Sequence, residues 1–354
     1  MFSLLVIILS VITSLVLTGL IRRYALARSL IDTPNERSSH TVPTPRGGGL
    51  AIVVTYLLAL VILGLTEELP GLNIWVMFVA SIWIALIGFI DDHRHISARW
   101  RLLSHFIAAG WILFWHDVSA LHFFGTDIDL GVAGYILAAI ALVWWLNLYN
   151  FMDGIDGLAG IEALSISLSA VLLLWLSGFS SIEGISVLLL LIASPVVGFL
   201  VWNMPPARIF MGDVGSTFLG FITGILAIAS INQGLLSLWV WLILGGVFIV
   251  DATVTLVQRM LSGECWYEAH RSHAYQKATT QLTLYFERTK SLASEKARAK
   301  AHGVVSLFVF GINVLWLLPL AYAVKSWPTW EGGIVLIAWL PLVLLAFYWK
   351  AGRN

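Results

Sequence analysis

Five aspartates at the edges of apolar segments are the residues of this sequence best suited to chemistry. Asp91 and Asp92 close the run Gly88-Phe89-Ile90-Asp91-Asp92. Asp153 and Asp156 lie in Asn147-Leu148-Tyr149-Asn150-Phe151-Met152-Asp153-Gly154-Ile155-Asp156-Gly157, and Asp213 in Phe210-Met211-Gly212-Asp213-Val214-Gly215-Ser216. Asp156 and Asp213 each precede an apolar helix, where an aspartate often caps free backbone N–H groups, so capping and catalysis are both open for them. The pair at 91 and 92 resists that account. It falls at a helix C-terminus, whose partial negative charge disfavours carboxylates, and it needs a cation: His93, Arg94, His95 or a metal ion. Asn147, Asn150 and Asp153 recur every three residues, as do Asp153 and Asp156, which puts polar groups on one side of a helical stretch. An all-oxygen set suits Mg2+. Zinc is disfavoured by scattered histidines and the absence of paired cysteines.

Basic segments accompany these acids. In Pro43-Thr44-Pro45-Arg46-Gly47-Gly48-Gly49 the prolines stiffen the approach and the glycines leave backbone N–H groups able to contact a phosphate. The plainer reading is a turn with a topology-setting arginine. Ala269-His270-Arg271-Ser272-His273-Ala274 offers His270, Arg271 and His273 to a pyrophosphate, although a histidine pair in a loop is more often incidental. Asp251, inside an apolar block, is either functional or hydrogen-bonded to neighbouring helices, and is not expected to be catalytic.

The elements that must position these residues are membrane helices. The chain has 354 residues, 59% hydrophobic and 11% charged, and its apolar residues fall into blocks of membrane-spanning length. This predicts an all-α polytopic membrane protein of about 11 transmembrane helices, at 2–20, 49–65, 74–90, 102–116, 132–149, 157–177, 184–201, 215–230, 235–254, 304–324 and 332–348. Of the 20 Lys and Arg residues, all but Lys325 fall in alternate linkers or the C-terminal tail. Under the positive-inside rule those linkers are cytoplasmic, the N-terminus lies outside and the C-terminus inside. The first block, with Arg22-Arg23 directly after it, suits an uncleaved anchor. The chain reads as one membrane domain over 1–354, with active-site loops at 21–48, 91–101, 149–157, 202–214 and 255–303. A net charge of zero implies no nucleic-acid partner, and the single Cys265 falls on the cytoplasmic side, where disulfides are not expected.

Taken together, Gly-Phe-Ile-Asp-Asp, Asn-Phe-Met-Asp-Gly-Ile-Asp-Gly, Phe-Met-Gly-Asp-Val-Gly-Ser and His-Arg-Ser-His resemble the polyprenyl-phosphate N-acetylhexosamine-1-phosphate transferases. The stretch Asp-Thr-Pro-Asn-Glu-Arg-Ser-Ser-His at 32–40 looks most like the branch that initiates O-antigen synthesis. His-Arg-Ser-His in place of a His-rich triplet argues against a muramoyl-pentapeptide substrate. The resemblance spans about residues 30–275. It implies attack of undecaprenyl phosphate on the β-phosphate of a UDP-N-acetylhexosamine at the inner face of a bacterial cytoplasmic membrane, releasing UMP. It implies Mg2+, with Mn2+ as a substitute, held by Asp213, Asp92 and Asp153. Asp91 or Asp92 would deprotonate or position the lipid phosphate, with Asp213 in the catalytic set. Asn150, Asp153 and Asp156 would hold nucleotide or metal, and Asn147 and Asn203 join the substrate-binding set. His270, Arg271 and His273 would grip pyrophosphate with help from Arg46, and Phe210 would stack on uracil. A homodimer is compatible with the sequence, and a cation- or proton-coupled transporter is the rival class. The polar stretch 277–302 receives no role.

Overall fold

A backbone crossing hydrocarbon must satisfy its N–H and C=O groups internally, and the apolar blocks of this chain do so as helices. The computed structural model describes residues 2–33, 42–66, 69, 73–94, 96–116, 118, 120–123, 126–180, 184–264 and 271–353. In chain order the elements are α1 (Phe2–Ala27), β1 (Ile31–Asp32), β2 (Thr44–Pro45), α2 (Gly49–Leu65), α3 (Ile74–His93), α4 (Ala98–Trp115), β3 (Ala120–Phe123), β4 (Thr126–Asp129), α5 (Val132–Phe151), α6 (Leu158–Leu176), α7 (Gly184–Asn203), α8 (Asp213–Asn232), α9 (Leu238–Leu244), α10 (Gly246–Leu261), α11 (Ala274–Lys290), α12 (Ser294–Ile312), α13 (Leu318–Ser326) and α14 (Glu331–Tyr348). The short strands form two antiparallel pairs, with Ile31 opposite Pro45 in the first and Ala120 opposite Asp129 in the second.

Helices stand at all eleven expected positions. Among the described residues eight spans are long and apolar enough to cross a membrane, or nine if α9 and α10 count as one bent span. Of the others, α2 is apolar but has 17 residues, and α4 carries Arg99 and Arg101 in its first turn.

Side-chain size decides which face turns inward. Helix α1 buries Ser3, Val6, Ser10, Ser14 and Thr18 and turns Leu5, Ile8, Ile12 and Val16 outward, each 51–54% exposed. That would be inside-out in water. In lipid, small residues let helices approach while large apolar ones meet acyl chains. The centre is α6, α7 and α8, with 78%, 78% and 83% of their apolar windows buried. Helix α8 also lies against α3, where a Cβ on Gly88 would come 2.7 Å from the Asp213 carbonyl oxygen. Only glycine permits that contact, and it brings Asp91 and Asp92, one turn further on, to the start of α8.

Two elements differ from expectation. The ninth span is not a straight helix over 235–254, because α9 and α10 meet at 77°. The break falls at Gly245, where the Trp145 ring leaves no room for a side chain: a Cβ would sit 2.8 Å from it. The tenth begins at Ser294 rather than 304, and between α12 and α13 a π-helical turn, Asn313–Leu317, interrupts it. There the Asn313 amide donates to buried Glu162 at 2.6 Å. The polar stretch 277–302 is helical too, forming most of α11 and the first turns of α12, which pack together.

Candidate active site

The first turn of a helix leaves N–H groups unpaired and partly positive, so it attracts a carboxylate. In α8 that carboxylate comes from another helix. Asp92 accepts the N–H of Asp213 at 3.0 Å and of Val214 at 3.1 Å. Gly212, in the left-handed region at φ +78°, leads the chain past it so closely that a Cβ would lie 2.8 Å from Asp92 Oδ2. Asp91 is bound differently, by Arg101 at 2.6 Å and the Ile96 N–H at 2.7 Å. Arg101 of α4 is therefore the cation of Asp91, while Arg46 and His93 stand within electrostatic reach of Asp92. His93 turns back to the Phe89 carbonyl at 2.9 Å, Arg94 is exposed, and His95 lies outside the described residues. The Asp91 and Asp213 carboxyl groups stand within electrostatic reach of each other.

Asp153 joins this group from the turn between α5 and α6. Burial, then the charges of Asp92 and Asp156, push its carboxyl up to about 7. Asp91, Asp92, Asp153 and Asp213 thus converge from three segments far apart in the chain.

Asp156 does not share their condition. Its Oδ2 accepts the Ala207 N–H at 2.9 Å, its Oδ1 lies 3.2 Å from His302 Nδ1, and its carbonyl accepts the Ser306 hydroxyl at 3.0 Å. It ties the α5–α6 turn to the loop after α7 and to α12. Asn203, at the end of α7, braces the same corner: it accepts the Gly157 N–H at 3.0 Å and donates to the Ile209 carbonyl at 2.9 Å. Neither Asp156 nor Asp213 caps the helix it precedes. Gly157 and Gly212 hold the N-cap positions, and Asp213 is the first helical residue of α8.

The asparagines face different ways. Asn150 accepts the Ser216 hydroxyl of α8 at 2.6 Å, beside the acids. Asn147 turns to α4, its amide 3.3 Å from His105, and also donates to the Val143 carbonyl at 2.7 Å.

Arg46 donates to the Asp92 backbone carbonyl, so a guanidinium sits at the rim of the acidic group. The glycine segment does not present its N–H groups as expected. Gly48 donates to Phe210 and Gly49 to Met211, both at 2.9 Å, and the Phe210 N–H donates to Pro45 at 2.8 Å. This zipper fixes half-buried Phe210 beside Arg46.

On the far side, His273 is the N-cap of α11, with a reciprocal pairing to Gln276. Asp251 of α10 anchors it: its carboxylate accepts the Ala274 and Tyr275 N–H groups at 2.9 and 3.1 Å, and lies 3.3 Å from His273 Nδ1. This intramembrane acid is thus satisfied by the adjoining segment. His273 stacks on Tyr275 at 5.7 Å, and the Tyr275 hydroxyl donates to the Phe151 carbonyl at 3.2 Å, against Gly154. Burial and the charges of Asp251 and Asp153 hold that phenol well above its usual range. Arg271 borders a polar pocket between α11 and α12. His270 lies outside the described residues.

Sequence reasoning passed over Arg101, Ser216, Tyr275 and His302. Tyr275 directly follows the histidine motif's alanine and Ser216 ends the Phe-Met-Gly-Asp-Val-Gly-Ser run, so both were within reach. In the sequence Arg101 stands out only as a topology charge, and nothing singles out His302.

The donor set suits a hard divalent cation. It consists of carboxylate and amide oxygens, and the carboxylates repel one another, as the raised Asp153 shows. Among the described residues no three His, Cys, Asp or Glu side chains gather closely enough to cage an ion alone. Mg2+ does not need such a cage, since it is usually bound through one or two carboxylates plus waters and substrate phosphates.

With this geometry in place, likeness to known proteins decides the family. Residues 74–231 match the family model described as Glycosyl transferase family 4. The chain is 32% identical over 276 residues to a probable undecaprenyl-phosphate N-acetylglucosaminyl 1-phosphate transferase of Bacillus subtilis (strain 168), covering 76% of this chain and 75% of that protein. It belongs to the polyprenyl-phosphate N-acetylhexosamine-1-phosphate transferase superfamily. Two phospho-N-acetylmuramoyl-pentapeptide-transferases are also similar. That of Geobacillus sp. (strain WCH70) is 32% identical over 279 residues, 72% of this chain and 82% of its own. That of Bacillus anthracis (strain A0248) is 27% identical over 266 residues, 71% and 79%. The Glycosyl transferase family 4 match contains all five aspartates at 91, 92, 153, 156 and 213, and excludes Arg46 and the α11–α12 hairpin.

Proposed function

We propose that this membrane protein transfers an N-acetylhexosamine-1-phosphate from a UDP-sugar to undecaprenyl phosphate, releasing UMP and leaving undecaprenyl-pyrophosphoryl-sugar. The reaction is placed at the cytoplasmic face of a bacterial inner membrane, as the first membrane step of O-antigen or related surface-polysaccharide synthesis. The observation that carries the reading is the convergence of Asp91, Asp92, Asp153 and Asp213 beside Arg46 at the ends of apolar helices. A cytosolic nucleotide sugar and a lipid phosphate can meet there, and the basic character of the linkers supports a cytoplasmic position for that edge.

In the reaction an oxygen of the lipid phosphate attacks the β-phosphorus, and the bond to the bridging oxygen breaks with its electrons leaving on UMP. Two anions must approach, so positive charge is the first requirement. One or two of Asp213, Asp92 and Asp153 would hold Mg2+ together with waters and the substrate phosphates, with Asn150 beside them. When bound, the ion supplies charge that neutralises the diphosphate. Arg46, on the Asp92 carbonyl, and Arg271, in the α11–α12 pocket, add fixed cations. Asp92, already bonded to the start of α8, fixes the position of Asp213. Asp91, paired with Arg101, is placed to orient the lipid phosphate or take its proton. Phe210, locked by the glycine zipper, is the surface offered to uracil, and the unmatched histidine triplet still argues against a muramoyl-pentapeptide.

The test is incubation of purified protein with undecaprenyl phosphate, Mg2+ and a panel of UDP-sugars headed by UDP-GlcNAc. UMP and a lipid product of the predicted mass are expected. Cation-driven solute uptake into proteoliposomes with no UMP formed would favour the transporter reading instead. Transporter sites tend to lie near the bilayer midplane, whereas Asp91, Asp92 and Asp213 occupy the last turn of α3 and the first of α8, and Asp153 the turn between α5 and α6.

A further inference from the structure

The hairpin of α11 and α12 has no place in the reading above beyond Arg271, yet it encloses a polar pocket of about 130 Å³. Arg271, Gln276, Thr280, Thr283, Glu287 and Arg298 are among its lining residues. Thr280 and Thr283 spend their hydroxyl protons on the carbonyls one turn back, at 2.9 and 2.8 Å, so they show the pocket oxygen lone pairs only. The strong donors are therefore the two guanidiniums, one from each wall. Arg298 is set within electrostatic reach of Arg271, Glu287 and Asp156. Glu287 lines the same hollow and answers one of the two positive charges, so the pocket keeps an excess of one, and a phosphate between the arginines accepts their planar N–H groups bidentately.

The pocket adjoins the acidic centre. Gln276 lines it and also touches the α5–α6 turn, its Nε2 lying 3.0 Å from where a Cβ on Gly154 would stand. Gly154 is the residue after Asp153. At about 130 Å³ the hollow is smaller than the roughly 300 Å³ at which whole-ligand sites begin, so it takes one part of a larger molecule. Its position on α11, which carries Lys277, Glu287 and Arg288 and is not apolar enough to span a membrane, puts it on the water side.

We propose that Arg298, together with Arg271, grips a phosphate of the nucleotide sugar in the α11–α12 pocket and so acts as a positioning residue for the donor substrate. This rests on the transferase reading. Phosphate chemistry is shared with the lipid acceptor, so the experiment separates the two sources. Initial rates of UMP release are measured for the wild-type protein, Arg298→Ala and Arg298→Lys, varying UDP-sugar and undecaprenyl phosphate in turn.

For Arg298→Ala the KM for the UDP-sugar should rise about ten- to a hundredfold, the scale of one charge-assisted hydrogen bond. The KM for undecaprenyl phosphate and the melting temperature should stay nearly unchanged. Arg298→Lys should recover part of the loss, since it keeps the charge but not the fork. UMP, as a bound probe, should raise the melting temperature less in Arg298→Ala than in the wild type. An unchanged donor KM, a rise confined to undecaprenyl phosphate, or a fall in melting temperature with KM intact would each overturn the proposal. Wild-type protein that releases no UMP from any UDP-sugar would sink the transferase reading itself, a distinct result.

Discussion

Asp251 and Asp213 both lie close to the start of a helix, yet their surroundings differ in kind. Asp251 faces α11, where two backbone N–H groups and His273 answer its charge. Asp213 is part of the start of α8, where Asp92 already takes the N–H groups and Asp91 stands within electrostatic reach. One carboxylate has been supplied with donors and the other placed among acids. The first arrangement lowers the energy of the folded chain. The second raises it, and persists because the surrounding helices hold it, an arrangement that clusters at functional sites.

The sharpest way to break this contrast is Asp213→Asn. UMP release should fall by about a thousandfold or more, the scale of losing a principal charge-stabilising group, while melting temperature stays the same or rises. Normal turnover in that variant would remove Asp213 from the mechanism. Asp251→Ala should do the opposite. Leaving the Ala274 and Tyr275 N–H groups unpaired costs about 1–3 kcal/mol each, so thermal unfolding should show a fall of several degrees. A melting temperature equal to the wild type would show that α11 is held by something else.

A third comparison uses the ion. Mg2+ should raise the melting temperature of the wild-type protein by mass action on the folded state. That increment should vanish in Asp153→Asn and Asp213→Asn but survive in Asp251→Asn. An equal increment in all of them would place ion binding elsewhere.

The smallest effect is a pH dependence without divalent ions. Asp153 has a folded-state value of about 7 against an ordinary 3.8, so between those values the folded chain holds a proton that the unfolded chain has lost. Stability contributed by that proton is complete below about pH 4 and is lost as pH rises through about 7. Asp153→Asn should flatten this decline in chelator-treated protein, and an identical slope in the variant would exclude Asp153 as its source.

Much of this was legible in the sequence because lipid imposes a simple rule: blocks of apolar residues become helices, and charges between them mark the edges. The acidic residues could be picked out at Asp91-Asp92 because a helix C-terminus repels carboxylates. Their partners could not. Arg101 lies ten residues on, and Asp92 meets α8 more than a hundred residues later, a distance that no local pattern encodes. The bend at Gly245 was hidden because its cause, Trp145, belongs to another helix. The zipper of Gly48 and Gly49 onto Phe210 and Met211 is likewise invisible in the sequence, which leaves the glycines open to either a phosphate contact or a plain turn.

The meeting of α3 and α8 at Gly88 carries one more consequence. No side chain intervenes there, so the gap between the acids on the two helices is governed by main-chain thickness rather than by rotamers, which in exposed residues flip in picoseconds to nanoseconds. A methyl group at that position would wedge the two backbones apart and splay the centre open. Substrate therefore meets a spacing that was machined during folding, and need not spend its own affinity on assembling it.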